Sequence, residues 1–310
     1  MLQFSYVDYK NYGKCVKIEN DFATLLVSIE IGPRIVHYSL KDGENVFFCD
    51  IDRKQNVSTE EYKKVYGENS VWQLFAGHRL WSAPEILEIT YTPDDVPVSF
   101  IREGNSAVFT STAAPHAGLK KSMRIELDEN SPEVTVTHVI RNVGSKPQTF
   151  AVWGVSAMAA GGTEIIAFAT PDMDYLPDRN LSFWSFSDIC DYRAFWGRKY
   201  ATLRQDPNSS ANFKCGMLST VGKAYYVNKN TVCSLSFPYD ENAVYLDRMC
   251  NYETFTNNLF LEMESLSPVS EVAPGCSLEH VEKWNLQSVS QTPDLSSDAA
   301  IDSFLATLSI

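Results

Sequence analysis

The chain has 310 residues, 44% hydrophobic and 21% charged, with a formal net charge of −13. Such usage excludes a disordered chain, and the excess of acid leaves no basic patch for a nucleic-acid backbone or an anionic lipid surface. No stretch reaches the roughly 18 apolar residues of a membrane-spanning helix, and the start lacks a positive region followed by an apolar run, so a cytoplasmic protein with a neutral or cationic small-molecule partner is expected.

The seven cysteines are odd in number and widely spaced, with no C-x-x-C pair. Buried reduced thiols are expected, rather than a disulfide framework or a cysteine zinc site. In chain order, Phe22 to Ile31 reads as a strand that Gly32-Pro33 interrupts and Arg34 to Leu40 resumes, a meander closed by the Asp42-Gly43 turn. Arg34 stands at a strand entrance, where it either reaches a ligand or pairs with an acid. Ser58 with Glu61 forms a capping-box pattern and Gly67 suits a helix end, which predicts a short helix over Thr59 to Tyr66.

Gly77-His78-Arg79-Leu80-Trp81-Ser82-Ala83-Pro84-Glu85 gathers an imidazole, a guanidinium, an indole and a carboxylate. Trp81 offers a flat apolar face that suits sugar C–H groups, while Arg79 and His78 can donate to hydroxyls. The bland alternative is a loop in which Trp81 anchors core and Arg79 pairs with Glu85.

Residues 86 to 142 read as further short strands, among them Ile86 to Tyr91, spaced near ten residues apart as in all-β folds. Phe150 to Met158 is a nearly uncharged strand in which Trp153 either lines a pocket or fills the core. Between Pro171 and Tyr200, aspartates including Asp172 and Asp174 mix with aromatics such as Trp184, a composition suited to a loop over a binding face. Strands follow near Phe213 to Leu218 and Val244 to Met249. Lys214 points either inward as a donor or outward to water.

Leu259 to Pro268 is the stretch around which the chain is organised. As a strand, it places Glu262 and Glu264 on one face, their Cα atoms about 7 Å apart, with Phe260 and Leu266 on either side. Enclosure of that face would raise a carboxyl pKa and make it an acid or base near neutrality; a wet face would make the charges mere solubility. Ser296 or Ser297 caps a terminal amphipathic helix bearing Ile301, Phe304, Leu305 and Leu308. The expected organisation is a β domain over 1–287 and a linker plus docked helix over 288–310. No phosphate-cradling glycine loop, nucleophile elbow or H-E-x-x-H motif occurs, so neither cofactor nor metal is expected.

The order Gly32-Pro33-Arg34, Gly77-His78-Arg79-Leu80-Trp81 with Pro84-Glu85, Leu261-Glu262-Met263-Glu264-Ser265 with Pro268, Pro274-Gly275 and Trp284 resembles uncharacterised bacterial proteins of the galactose-mutarotase-like (aldose 1-epimerase-like) superfamily, over roughly residues 12 to 287. The resemblance implies an all-β fold, a large antiparallel β-supersandwich with short peripheral helices and a saccharide cleft. It implies Glu262 as catalytic base and Arg79 as substrate-binding, with His78 where the family has Asn. The strand that would carry the family's acid histidine, Ala151 to Met158, has none, so ring opening would need His78 or another donor as the acid, with Arg79 and His78 as the orienting or acid groups. Trp81, Glu85, Trp153, Lys214, Glu264 and Arg34 complete the expected substrate contacts. The function implied is anomer interconversion; a non-catalytic carbohydrate-binding protein, or a glycoside hydrolase or lyase built on Glu262 and Glu264, is the alternative.

Overall fold

The computed structural model describes residues 2–114, 116–168, 175, 177–290 and 293–310. Alternating apolar and polar residues in short runs, punctuated by glycine and proline, form two large antiparallel sheets packed face to face. The first sheet runs Gln3–Asp8, Lys14–Glu19, Ala23–Ser28, Arg34–Leu40, His78–Ala83, Gln148–Met158, Leu261–Leu266, Tyr252–Thr256, Phe213–Met217 and Leu181–Phe183, with Ser270–Val272 also paired to Gln148–Met158. In the second sheet, Ser277–Ser288 lies centrally between Thr231–Ser236 and Val134–Asn142. The all-β supersandwich with short peripheral helices is therefore what the chain forms.

The main core lies between the sheets, where Leu80, Val152, Leu261 and Met263 of the first meet Val134, Val136 and Trp284 of the second. A separate apolar layer covers the outer face of the first sheet: Trp81, Trp153, Val155, Ala157, Phe260 and Leu266 pack against Tyr62, Trp72 and Leu74 from the segment that precedes His78–Ala83. Within that segment the helix is Glu60–Tyr66, capped by Thr59, whose hydroxyl accepts from the Tyr62 N–H, rather than by Ser58. The helix Asp298–Leu305, capped by Ser297, packs Ile301 and Phe304 onto Ile165, Tyr225 and Val232 on the outer face of the second sheet.

Two expected strands are not strands. Leu87–Thr90 is a single helical turn, because the Thr90 hydroxyl folds back to donate to the Ser82 carbonyl while accepting from the Ile86 N–H. The segment Leu246–Met249 is a turn in which Asp247, Arg248 and Met249 all have positive φ, incompatible with a pleated strand. Pro171, Asp172, Asp174 and residues 291–292 of the expected linker lie outside the described residues. No helix among the described residues is long and apolar enough to cross a membrane, and the seven cysteines are all unpaired.

Candidate functional site

Strand alternation decides which side chains of the first sheet reach its outer face. From His78–Ala83 they are Arg79 and Trp81; from Gln148–Met158, Trp153, Val155 and Ala157; from Leu261–Leu266, Glu262 and Glu264; from Tyr252–Thr256, Glu253 and Phe255. Of these, Arg79, Trp81, Trp153, Phe255, Glu262 and Glu264 floor a cleft of about 490 Å³ walled by Trp72, Tyr91, Trp184 and Phe186. The early arginine-tryptophan stretch and the late acidic strand thus share one wall.

Across the ladder Arg79 stands opposite Val155, and Glu262 opposite Ala157. Because both intervening side chains are small, the guanidinium spans the middle strand and donates to Glu262 at 2.9 Å. It also lies 4.1 Å over the Trp81 ring. Arg79 is thereby committed to Glu262 and not to Glu85, which accepts the Tyr91 hydroxyl instead. Glu85 sits at the rim of the same cleft.

A second charged group lies beside the first. Glu253 and Glu264 are direct cross-strand neighbours, and the Lys214 ammonium sits between them at 2.9 and 3.0 Å. The same ammonium lies 4.7 Å from the ring centres of both Trp153 and Trp184, while the Trp153 indole donates to Glu264 at 3.1 Å. Burial pushes both carboxyls above their ordinary range, with Lys214 opposing the shift. Burial would lower the lysine, yet the two acids outweigh it and raise it. Two adjacent buried carboxyls facing one ammonium cannot both ionise cheaply, which favours a proton on the pair. One oxygen of each acid, Oε1, is buried without a partner.

Six of the expected site residues, Arg79, Trp81, Glu85, Trp153, Lys214 and Glu264, line this cleft together with Glu262. Two expectations are corrected. His78 points the other way, into the space between the sheets, where it is 0% exposed and bonded to Ser156 and His138; burial and the adjacent His138 push its pKa well down. It cannot serve the cleft as an acid, because Arg79 and His78 are consecutive on a pleated strand and face opposite sides. Arg34 is fully buried, donating to the Leu74 and Ala76 carbonyls and pairing with Asp94. It holds the covering segment down and lines no part of the cleft.

Glu253, Tyr91 and Phe255 were not singled out from the sequence. The alternation Glu253-Thr254-Phe255, which repeats the carboxylate-and-aromatic face of Phe260-Leu261-Glu262, was the available signal.

No family model matches the chain and no curated protein is significantly similar to it. Solved structures are similar in fold. A protein of Klebsiella pneumoniae, provisionally described as an aldose 1-epimerase, superposes with a TM-score of 0.58 at 13% identity, covering 99% of this chain and 87% of its own. Galactose mutarotase-like proteins of Lactobacillus casei and Clostridium acetobutylicum give TM-scores of 0.52 and 0.50 at 11% identity, covering 88% and 93% of this chain and 100% and 99% of theirs. The fold is galactose mutarotase-like. At these identities the likeness extends to the fold and leaves activity to the cleft itself.

Proposed function

We propose that the cleft binds a saccharide and interconverts its anomers, with Glu262 as base and the Glu253–Glu264 pair supplying the acid. The observation that carries this reading is the pair of unlike carboxyl groups on one enclosed aromatic floor: Glu262 in an ion pair with Arg79, and Glu264 beside Glu253 and Lys214, where burial raises its pKa. Glu262 would take the proton of the anomeric hydroxyl as the bond from the anomeric carbon to the ring oxygen opens. The ring oxygen would receive the retained proton from Glu264, which lines the cleft. After the open-chain aldehyde turns about its bond to the next carbon, the same two transfers in reverse close the other anomer, returning both groups to their starting states.

Trp81, Trp153, Trp184 and Trp72 supply flat faces for sugar C–H groups. Four carboxyls, Glu85, Glu253, Glu262 and Glu264, outnumber the two cations Arg79 and Lys214, which favours neutral or amino sugars over sugar acids and phosphates.

Saturation-transfer NMR on a panel of neutral aldoses, amino sugars and uronic acids tests the reading. Exchange faster than the spontaneous rate is expected for a neutral or amino sugar, and Glu262→Gln is expected to lower it by about 10²- to 10⁴-fold, the range for loss of a general base. Spontaneous rates throughout the panel, with calorimetric binding intact, would replace isomerisation by carbohydrate binding alone.

A further inference from the structure

Between the sheets, behind the cleft floor, lies a polar cluster that the cleft chemistry does not use. His78 comes from the first sheet, His138 and Glu282 from the second, and they are 0%, 0% and 1% exposed. One ligand atom of each lies within 4.8 Å of the other two. The orientation of the rings is set by groups behind them. His138 directs Nδ1 at the His280 carbonyl, 3.1 Å away, so that nitrogen carries the proton and Nε2 presents its lone pair. His78 sets Nδ1 against the Ser156 hydroxyl at 2.9 Å and turns Nε2 toward His138. The two Nε2 atoms meet at 2.6 Å, the contact of an N–H···N hydrogen bond; two imidazole nitrogens on one zinc at roughly 2.0–2.1 Å stand about 3.3 Å apart, so a cation would take the place of the shared proton as the rings part by about 0.7 Å.

Glu282 supplies the stronger argument for a cation. Its oxygens accept from the Ser265 hydroxyl and the Trp284 indole, but among the described residues no lysine or arginine pairs with it. A buried carboxylate served by neutral donors alone is costly, and a cation beside it removes the cost. Gly154 keeps the space open: a Cβ there would lie 2.4 Å from Glu282 Oε1 and 3.5 Å from the His138 ring. Nearby, His280 bonds Ser265 through Nε2 and leaves Nδ1 buried without a partner.

We propose that His78, His138 and Glu282 bind one divalent cation of the zinc class, tying the two sheets together behind the cleft. Two imidazoles and a carboxylate match the ligand preferences of zinc and its neighbours, whereas magnesium and calcium take oxygen donors. The carbonyl behind His138 and the hydroxyl behind His78 are the outer partners that orient metal-bound imidazoles. The site departs from the expectation of no metal because its ligands are far apart in sequence, on three strands. Its role is structural, since the ligands are closed off from the cleft.

The test uses full-length, tag-free protein purified without a metal column. Elemental analysis is expected to find one zinc per chain that survives dialysis. Unfolding and refolding with a chelator should lower the melting temperature, with zinc but not magnesium restoring it. His138→Gln and Glu282→Gln should lose the metal, while Cys190→Ser and Cys276→Ser, at the exposed thiols, should keep it. Substoichiometric metal together with an unchanged melting temperature after chelator refolding would overturn the site and leave a shared proton between the histidines. Retention of metal in the histidine variant with loss in the cysteine variants would overturn it as well. If either ligand variant fails to fold, the wild-type stoichiometry and refolding still decide.

Discussion

The two faces of the first sheet bury charge in opposite ways. On the cleft face each carboxyl cluster has a cation at hand: Arg79 on Glu262, Lys214 between Glu253 and Glu264. Against its inner face, Glu164 and Glu282 of the second sheet receive, among the described residues, only neutral donors, Tyr252 for the first and Ser265 with Trp284 for the second. The same strands build both environments. His78–Ala83 sends Arg79 and Trp81 outward and His78, Leu80 and Ser82 inward, and Leu261–Leu266 divides Glu262 and Glu264 from Met263 and Ser265. Burial is nearly complete on either side, so burial alone does not mark the functional face. What distinguishes the cleft is that its charged pairs, Arg79 with Glu262 and Lys214 with Glu264, stand on an aromatic floor that lines a cavity.

The contrast can be broken most sharply at Lys214. Lys214→Met leaves two adjacent buried carboxyls without their cation, and removal of one partner of a buried pair costs about 3–5 kcal/mol. Urea denaturation at pH 7 should show this loss, and at pH 5, where the carboxyls hold protons, most of it should disappear. An equal loss at both pH values would mean that Lys214 acts through its packing against Trp153 and Trp184.

The next effect runs with pH and belongs to the inner face. Burial pushes the Glu164 carboxyl up to about 8, against 4.5 for an ordinary one, although Thr254 and Tyr252 lower it. Between those values the folded chain holds a proton that the unfolded chain has released, so this group's contribution to stability falls as pH rises from about 4.5 to 8. Glu164→Gln should flatten that decline and raise the melting temperature at pH 8 relative to wild type. An unchanged slope would show that Glu164 is ionised and served by an unidentified cation, as the carboxyls of the cleft are served by theirs.

The smallest expected change separates the two faces. Gly154→Ala places a methyl group against Glu282, and overpacking of this kind costs about 1–3 kcal/mol. Because position 154 points inward between Trp153 and Val155, stability should fall while saccharide binding by calorimetry is kept. Loss of binding in a folded variant would show that the inner cluster positions Arg79 and Trp153.

Much of this was legible in the sequence because strand period and turn chemistry are local. The alternation in Leu259 to Pro268 placed Glu262 and Glu264 on one face, and the spacing of short strands indicated an all-β sandwich. The same period, applied to Gly77 to Glu85, would have separated His78 from Arg79. Glu253 stayed hidden because its meaning comes from a cross-strand neighbour eleven positions away, and Arg34 because the carbonyls it serves belong to a distant covering segment.

By itself the sequence determined the fold class, the sharing of one strand face by Glu262 and Glu264, and the amphipathic terminal helix, since each follows from side-chain periodicity within a segment. Only the tertiary structure decided which cation meets which acid, that Trp153 belongs to the cleft, and that His78 and His138 meet between the sheets. Those outcomes depend on ladder register and on the packing of one sheet against the other, and both are set by contacts between residues remote in the chain.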